Sequence, residues 1–438
     1  MVSDDAPAPA APKTRLGQLQ RGRGAGFRAA IAAGREAHED VLQCVTTDPR
    51  VDSQGESRER YYAELIVAID MPIAPLAAHL KGCETQLGHG VLAGAWRLGH
   101  KGTRALLADP DSDDMIVTCV AQQLWSFGWA KLVELSGRAA RAFLQAALEL
   151  ANCAESSRRI QASPQLPGEM TIADLLELGR QMHPKQQWAV VEELCRRGTE
   201  EDREALEETV RNDTVYSRVQ LAAEALATLG DERLLMLAED YFAREDVFED
   251  SARRLTGYDR MRRGVLDHYV LHLPEDRQLE LARVWHLRGG YFEMVAGKIF
   301  GDRATPEDRT RIEASITGEG TDSTGHAVLN ELIALGRIGD PRSAPLLVQV
   351  AEQAIYSQAR RRALEALSGM QQLPIAAAAL HEALWDCEDE SADDACKFLA
   401  SLDPAAQARV EVLASLALAE EPLRLRAASR MEQASSLD

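Results

Sequence analysis

The sequence predicts an all-α chain, an α-α superhelix interrupted by an irregular central segment. Three observations carry that expectation. Apolar residues make up 45% of the chain but aromatics only 5%, with Ala and Leu dominant, a mixture that suits helices better than strands. Apolar positions recur at helical spacing through most of the 438 residues. A helix–corner–helix phrase also recurs at a period of roughly 30 to 45 residues, the mark of a repeat array whose units bury their faces against neighbours.

The phrase is clearest in LGRIGDPRSAPLL, residues 335–347. Val328, Leu329, Leu332, Ile333 and Leu335 precede it on one helical face. Gly339 can take the left-handed conformation that closes a helix. Asp340 is then an N-cap for the next helix, and Pro341 occupies the first helical position, where its missing N–H costs nothing. Ala344, Leu347, Val348 and Ala351 form the second apolar face.

The same wording returns elsewhere. In 223–241, Ala225, Leu226, Leu229, Gly230 and Asp231 stand where Ala334, Leu335, Ile338, Gly339 and Asp340 stand. Residues 363–380 place Leu367 and Met370 in register, and 92–107 keep Leu98 and Gly99 but put His100 in the position of the aspartate.

GDPRSAPLL followed by SQARRRALEALSGM (357–370) resembles HEAT repeats, in particular the HEAT-like repeats first described in phycobilin lyase subunits. The resemblance implies a HEAT-like solenoid with a Gly-Asp corner and a basic residue near the start of the following unit. Arg360 or Arg361 would take that role, and Arg218 in the earlier copy. It covers 214–245 and 322–418 well, 85–127 more loosely, and fades over 137–212 and 251–320.

Helices are expected near 36–46, 58–69, 85–98, 113–126 and 137–152 in an N-terminal segment (36–155). The central segment (170–316) should carry helices near 171–181, 185–197, 200–210, 214–229, 231–244, 260–272, 276–287, 290–300 and 306–315. The C-terminal repeats (322–434) should carry 325–338, 341–352, 357–369, 374–385, 389–401, 404–418 and 421–433. Asp48-Pro49, Gly99, Asp109-Pro110, Pro274, Gly289-Gly290 and Asp403-Pro404 supply the breaks. SSRRIQASPQLPGEM (156–170) and TGEGTDSTGHA (317–327) read as linkers. Residues 1–35 read as a flexible basic arm after a Pro/Ala-rich start, carrying Lys13, Arg15, Arg21, Arg23, Arg28 and Arg35 against Asp4 and Asp5.

A formal net charge of −20 disfavours nucleic acid and anionic lipid as partners of the whole surface. Only 7 of the 49 basic residues are lysine, a bias expected of a GC-rich bacterial genome. Seven cysteines without C-x-x-C spacing point to buried thiols in a reducing cytoplasm. No apolar run approaches the ~20 residues that span a bilayer, and the N-terminus lacks the pattern of a signal peptide. Trp96, Trp125, Trp129, Trp188 and Trp385 fall on apolar faces and are expected in the core.

The strongest binding candidate is 251–292. Arg253, Arg254, Arg260, Arg262, Arg263 and Arg288 interleave there with Tyr258, Tyr269, Trp285 and Tyr291, a mixture that can hold phosphates and planar groups. The competing expectation is that these arginines pair with the acidic stretch 238–250. His268 and His272, four apart beside Asp267, would share a helix face, with His286 as a distant third donor, but no HExxH accompanies them and neither a metal nor a cofactor is expected. RGRGAG (21–26) lacks the preceding strand and the spacing of a dinucleotide loop. The acidic runs 200–208 and 386–396 read as solvated helix starts.

No nucleophile–base or paired-carboxylate set stands out. The chain is therefore expected to be a non-catalytic protein–protein interaction scaffold, with nucleic-acid binding through 251–292 as the alternative. The resemblance brings two further associations: HEAT-like solenoids include alkylpurine DNA glycosylases, and phycobilin lyase subunits act on a chromophore and a cysteine of their partner.

Overall fold

A computed structural model describes residues 9–48, 58–81, 86–109, 112–126, 170–182, 187–244, 257–318, 328–370 and 372–435. Every regular element among them is a helix, and successive helices pack on their neighbours in series. The fold is all-α and superhelical.

The corner chemistry is present where the sequence placed it. Gly339 closes the helix Leu329–Ile338 at φ 66°, and Asp340 accepts from the Arg342 amide at 2.9 Å. Pro341 opens a single 3-10 turn that leads into the helix Ala344–Gln353. At the earlier corner Gly230 (φ 63°) and Asp231 repeat the arrangement, Asp231 accepting from the Arg233 amide at 3.0 Å. His100 does the work of the missing aspartate, its Nδ1 accepting from the Thr103 amide at 3.3 Å. The corner near 370 is looser: Gly369 stays right-handed and no side chain caps the helix Pro374–Ala383.

Four short helices were not expected: Arg15–Gln20, Gly24–Ala33, Ala74–Leu80 and Lys101–Ala108. Each has ten residues or fewer, too short for propensity alone to hold. The expected helix 137–152 lies outside the described residues, as do Trp129, Cys83 and Cys153 and most of both linkers. Cys44, Cys387 and Cys396 are buried, and burial pushes the Cys44 and Cys396 thiols up to about 12.

The chain folds as two compact units, one from Met1–Glu155 with Arg309–Asp438, the other from Ser156–Asp308. In the first, the N- and C-terminal segments share one apolar core running from Leu19 to Leu124 and from Leu364 to Ala427. The serial N-terminal and C-terminal segments of the sequence reading are thus two parts of one body.

Over its described residues, 9–35, this corrects the expectation of a flexible arm at 1–35. Leu19, Phe27 and Ala30 are buried, and the Tyr61 and Tyr62 hydroxyls donate to the Arg23 and Leu19 carbonyls at 2.8 and 2.9 Å. The glycines of RGRGAG serve close packing. A Cβ at Gly22, where φ is already +66°, would meet the Cys387 Sγ at 2.3 Å, and one at Gly24 the Glu382 carbonyl at 2.1 Å. Of its basic residues Arg21 and Arg23 are buried, whereas Lys13, Arg28 and Arg35 are exposed. Arg21 donates to the Gln353 carbonyl at 2.8 Å, Arg23 forks onto Glu382 at 2.9 and 3.0 Å, and Arg28 lies over Trp385.

A buried charge network completes this seam. Arg60 reaches Glu64 at 2.7 Å and Asp389 at 2.6 Å, and Arg409 reaches the other Glu64 oxygen at 2.6 Å. Arg360 forks onto Asp386, while Arg58 donates to the Gln20 and Ile355 carbonyls. Burial alone would raise the Glu64 carboxyl, but Arg409 and Arg60 outweigh it and hold it below the usual carboxylate range. The run 386–396, expected as a solvated helix start, therefore supplies Asp386 and Asp389 to the interior.

Candidate functional site

The sequence candidate falls in the second unit, and folding divides it. Arg253 and Arg254 lie outside the described residues. Arg262 is buried and donates to the Val210 and Asp213 carbonyls at 2.9 and 2.6 Å, a structural role. Tyr269 is buried with its hydroxyl on Glu224, and Trp285 is fully buried with its indole N–H on Glu239 at 3.0 Å. These three are corrections to the expected binding set, because their polar groups are spent inside the fold. Arg260 and Tyr258 are exposed on the helix Gly257–Val270.

What remains converges on a cleft. Arg263 and Arg288 join Arg244, Phe242, Tyr291, Phe292 and the backbone of Gly289-Gly290 around a cavity of ≈ 520 Å³. Three local features build it. The helix Glu232–Phe242 ends on Phe242, so Arg244 emerges just past its C-terminus. Arg263, buried on the helix Gly257–Val270, lines the cavity from over Tyr291. A 3-10 turn at His286–Arg288 then hands over to the helix Gly290–Arg303 through Gly289 and Gly290, at φ 69° and 60°. Added Cβ atoms at these two glycines would meet nothing within 4 Å. They are needed for the left-handed backbone rather than for room, and they leave that backbone bare.

Phe242 anchors the floor, with ring centroids 5.1–5.8 Å from Tyr291, Trp285 and Phe292. Each cleft arginine lies over an aromatic face: Arg244 on Tyr241 at 3.9 Å, Arg263 on Tyr291 at 4.1 Å and Arg288 on Phe292 at 3.6 Å. Stacking fixes the guanidinium planes and lowers the entropy a ligand must remove. Carboxylates steady them from behind. Asp240 and Asp259 contact Arg244 at 2.8 and 3.1 Å, and Glu239 contacts Arg288 at 3.3 Å. The Tyr291 hydroxyl donates to Asp267 at 3.2 Å, and burial with that carboxylate pushes the phenol above its ordinary value.

The expected pairing with the acidic stretch before 251 is thus partly realised, through Arg288 and Glu239. Among the described residues, no carboxylate lines the cavity itself. Nothing in the sequence singles out Arg244, Phe242 and Phe292, because Arg244 sits inside an acidic run and the phenylalanines carry no polar group to mark them. The double glycine was the available signal, and it was read only as a helix break.

His268 and His272 face each other with ring centroids 5.0 Å apart, but Asp267 turns to Tyr291 and Lys298, and His286 packs on Phe300. No group of three or more His, Cys, Asp or Glu side chains suited to a metal occurs among the described residues. Trp188 is 60% exposed, against the expectation of core, whereas Trp385 is buried and Trp96 packs at the edge of the core. Among the described residues no helix is long and apolar enough to cross a membrane. Comparison of the sequence with protein-family models and with curated proteins finds no match.

Proposed function

We propose that the protein is a non-catalytic binding scaffold of HEAT-like helical pairs, and that it recognises an acidic segment of a partner protein in the cleft of Arg244, Arg263 and Arg288. One observation carries this reading. In a chain of net charge −20, a ≈ 520 Å³ cavity is lined, among the described residues, by three arginines and no carboxylate. Arginine, with Trp and Tyr, is also enriched at the energetic centre of protein interfaces.

The alternative is nucleic acid. It is disfavoured because the aromatic rings that would stack bases already carry a guanidinium on one face, and because the surrounding acids repel a phosphodiester backbone.

The test is affinity capture from the native host with the full-length chain and with an Arg244→Gln/Arg288→Gln variant, each with and without nuclease. The scaffold reading expects one stoichiometric protein that survives nuclease and is lost with the variant. Capture that disappears on nuclease treatment would transfer the cleft to nucleic acid, and capture unaffected by the variant would remove the cleft from recognition.

A further inference from the structure

We infer that the cleft reads a phosphate monoester, a phosphorylated side chain of the partner rather than a plain carboxylate. This rests on the proposal that the cleft is the recognition site, and sharpens it to one chemistry.

The argument begins with direction. The three guanidiniums come from three separate places: the end of one helix, the body of a second and the turn before a third. A carboxylate offers two oxygens in one plane and satisfies one fork. A phosphate monoester offers three terminal oxygens in a tetrahedral array, which suits donors converging from three sides.

Charge argues the same way. Arg244 already faces Asp240 and Asp259, and Arg288 faces Glu239. A monoanion entering beside these acids gains little over what the arginines hold, whereas a dianion can outcompete them. The guanidiniums of Arg244 and Arg288 each have five N–H donors, so those contacts leave others for a ligand.

The backbone adds to this. Gly289 and Gly290 line the cavity without side chains, and the first-turn amides of the 14-residue helix Gly290–Arg303 have no acceptor within that helix. The volume exceeds what a bare phosphate fills, and Phe242 and Phe292 furnish apolar wall for the group that bears it.

The experiment is calorimetric titration of the full-length chain with phenyl phosphate, inorganic phosphate and benzoate, with the unphosphorylated acidic peptide Ac-EEEE-NH2 as a fourth probe. Phenyl phosphate is expected to bind at least tenfold tighter than either of the other small anions. Its affinity should fall about fourfold from pH 7.5 to pH 5.5 as the ester, with a second pKa of about 6, gives up its dianion. Arg244→Gln and Arg288→Gln should each weaken it tenfold or more with unchanged melting. Neither residue is fully buried, so folding is preserved where substitution of Arg263 would endanger it.

Benzoate binding as tightly as phenyl phosphate, or an affinity for phenyl phosphate that is flat across that pH range, overturns the phosphate inference. Inorganic phosphate binding as tightly as the ester overturns the protein-borne source. Acidic-peptide binding that depends on Arg288, without phenyl phosphate binding, sinks the inference while leaving the scaffold reading standing. Failure of all four probes sinks both.

Discussion

Arg58 and Arg360, in the unit formed by the two ends of the chain, are 1% exposed and give their donors to carbonyls and to Asp386. Arg244 and Arg288, in the other unit, keep 37% and 39% of their side-chain surface and lie on aromatic rings beside a cavity. The residue type is the same and the consequences are opposite. An enclosed guanidinium with all its partners inside the fold specifies how segments close on each other. One that is stacked and half open retains donors for something outside. Arginine content alone therefore says little; what matters is where the remaining N–H groups point.

The sharpest way to break the comparison is to remove a seam arginine. Arg60→Met leaves Glu64 with one partner and Asp389 with none from this residue, and should cost about 3–5 kcal/mol, the range for breaking a buried ion pair. Calorimetry should show the transition of the unit containing the chain ends moving down while phenyl phosphate binding in the cleft is unchanged. Equal loss in both readouts would mean that the two sets of arginines are not independent.

Acid probes the same network. The folded Glu64 carboxyl lies below its unfolded value, so its contribution is present above the unfolded pKa of about 4.3. That contribution is lost as pH falls through the lower folded value. The melting-temperature gap between the wild type and Glu64→Gln should therefore close as pH is lowered from 6 toward 3. A constant gap would show that the variant acts through packing instead of charge.

Ordinary core packing sets the scale against which the seam is judged. Leu335 is fully buried on the helix before the Gly339 corner, and Leu335→Ala should cost about 2–5 kcal/mol. An unchanged melting temperature would contradict the register of the repeat. Asp340→Ala, which removes only a cap shared with Arg342 and Arg309 on the surface, should lower it measurably less than Leu335→Ala.

How much of this was legible depends on whether a feature is local. Gly339-Asp340-Pro341 and Gly230-Asp231 could be read because capping is decided within a few residues, and the structure matches them. The helices Arg15–Gln20 and Gly24–Ala33 could not, because segments of six and ten residues interrupted by glycine are too short to hold on propensity alone. They are stabilised by Tyr61, Tyr62, Glu382 and Trp385, up to about 360 residues away in the chain. The cleft shows the same limit. Arg263 and Arg288 stand out by composition, but so do Arg262, Tyr269 and Trp285, whose partners Val210, Asp213, Glu224 and Glu239 lie elsewhere in the chain. Only long-range placement separates donors that are spent from donors that are available.

The smallest expected effect on stability belongs to the variant that tests the proposed function most directly. Arg288→Gln removes a partly exposed pair with Glu239 and a stack on Phe292. Exposed pairs of this kind contribute about 0–1 kcal/mol, and Glu239 keeps its bond from the Trp285 indole. Melting should therefore shift by a degree or two at most, while capture of the acidic partner falls away. A large drop in melting temperature would place Arg288 with the seam arginines, as part of what holds the fold together. Unchanged stability with unchanged capture would leave the cleft without a role. Only the combination of intact fold and lost binding keeps the distinction between arginines that close the chain and arginines that face a partner.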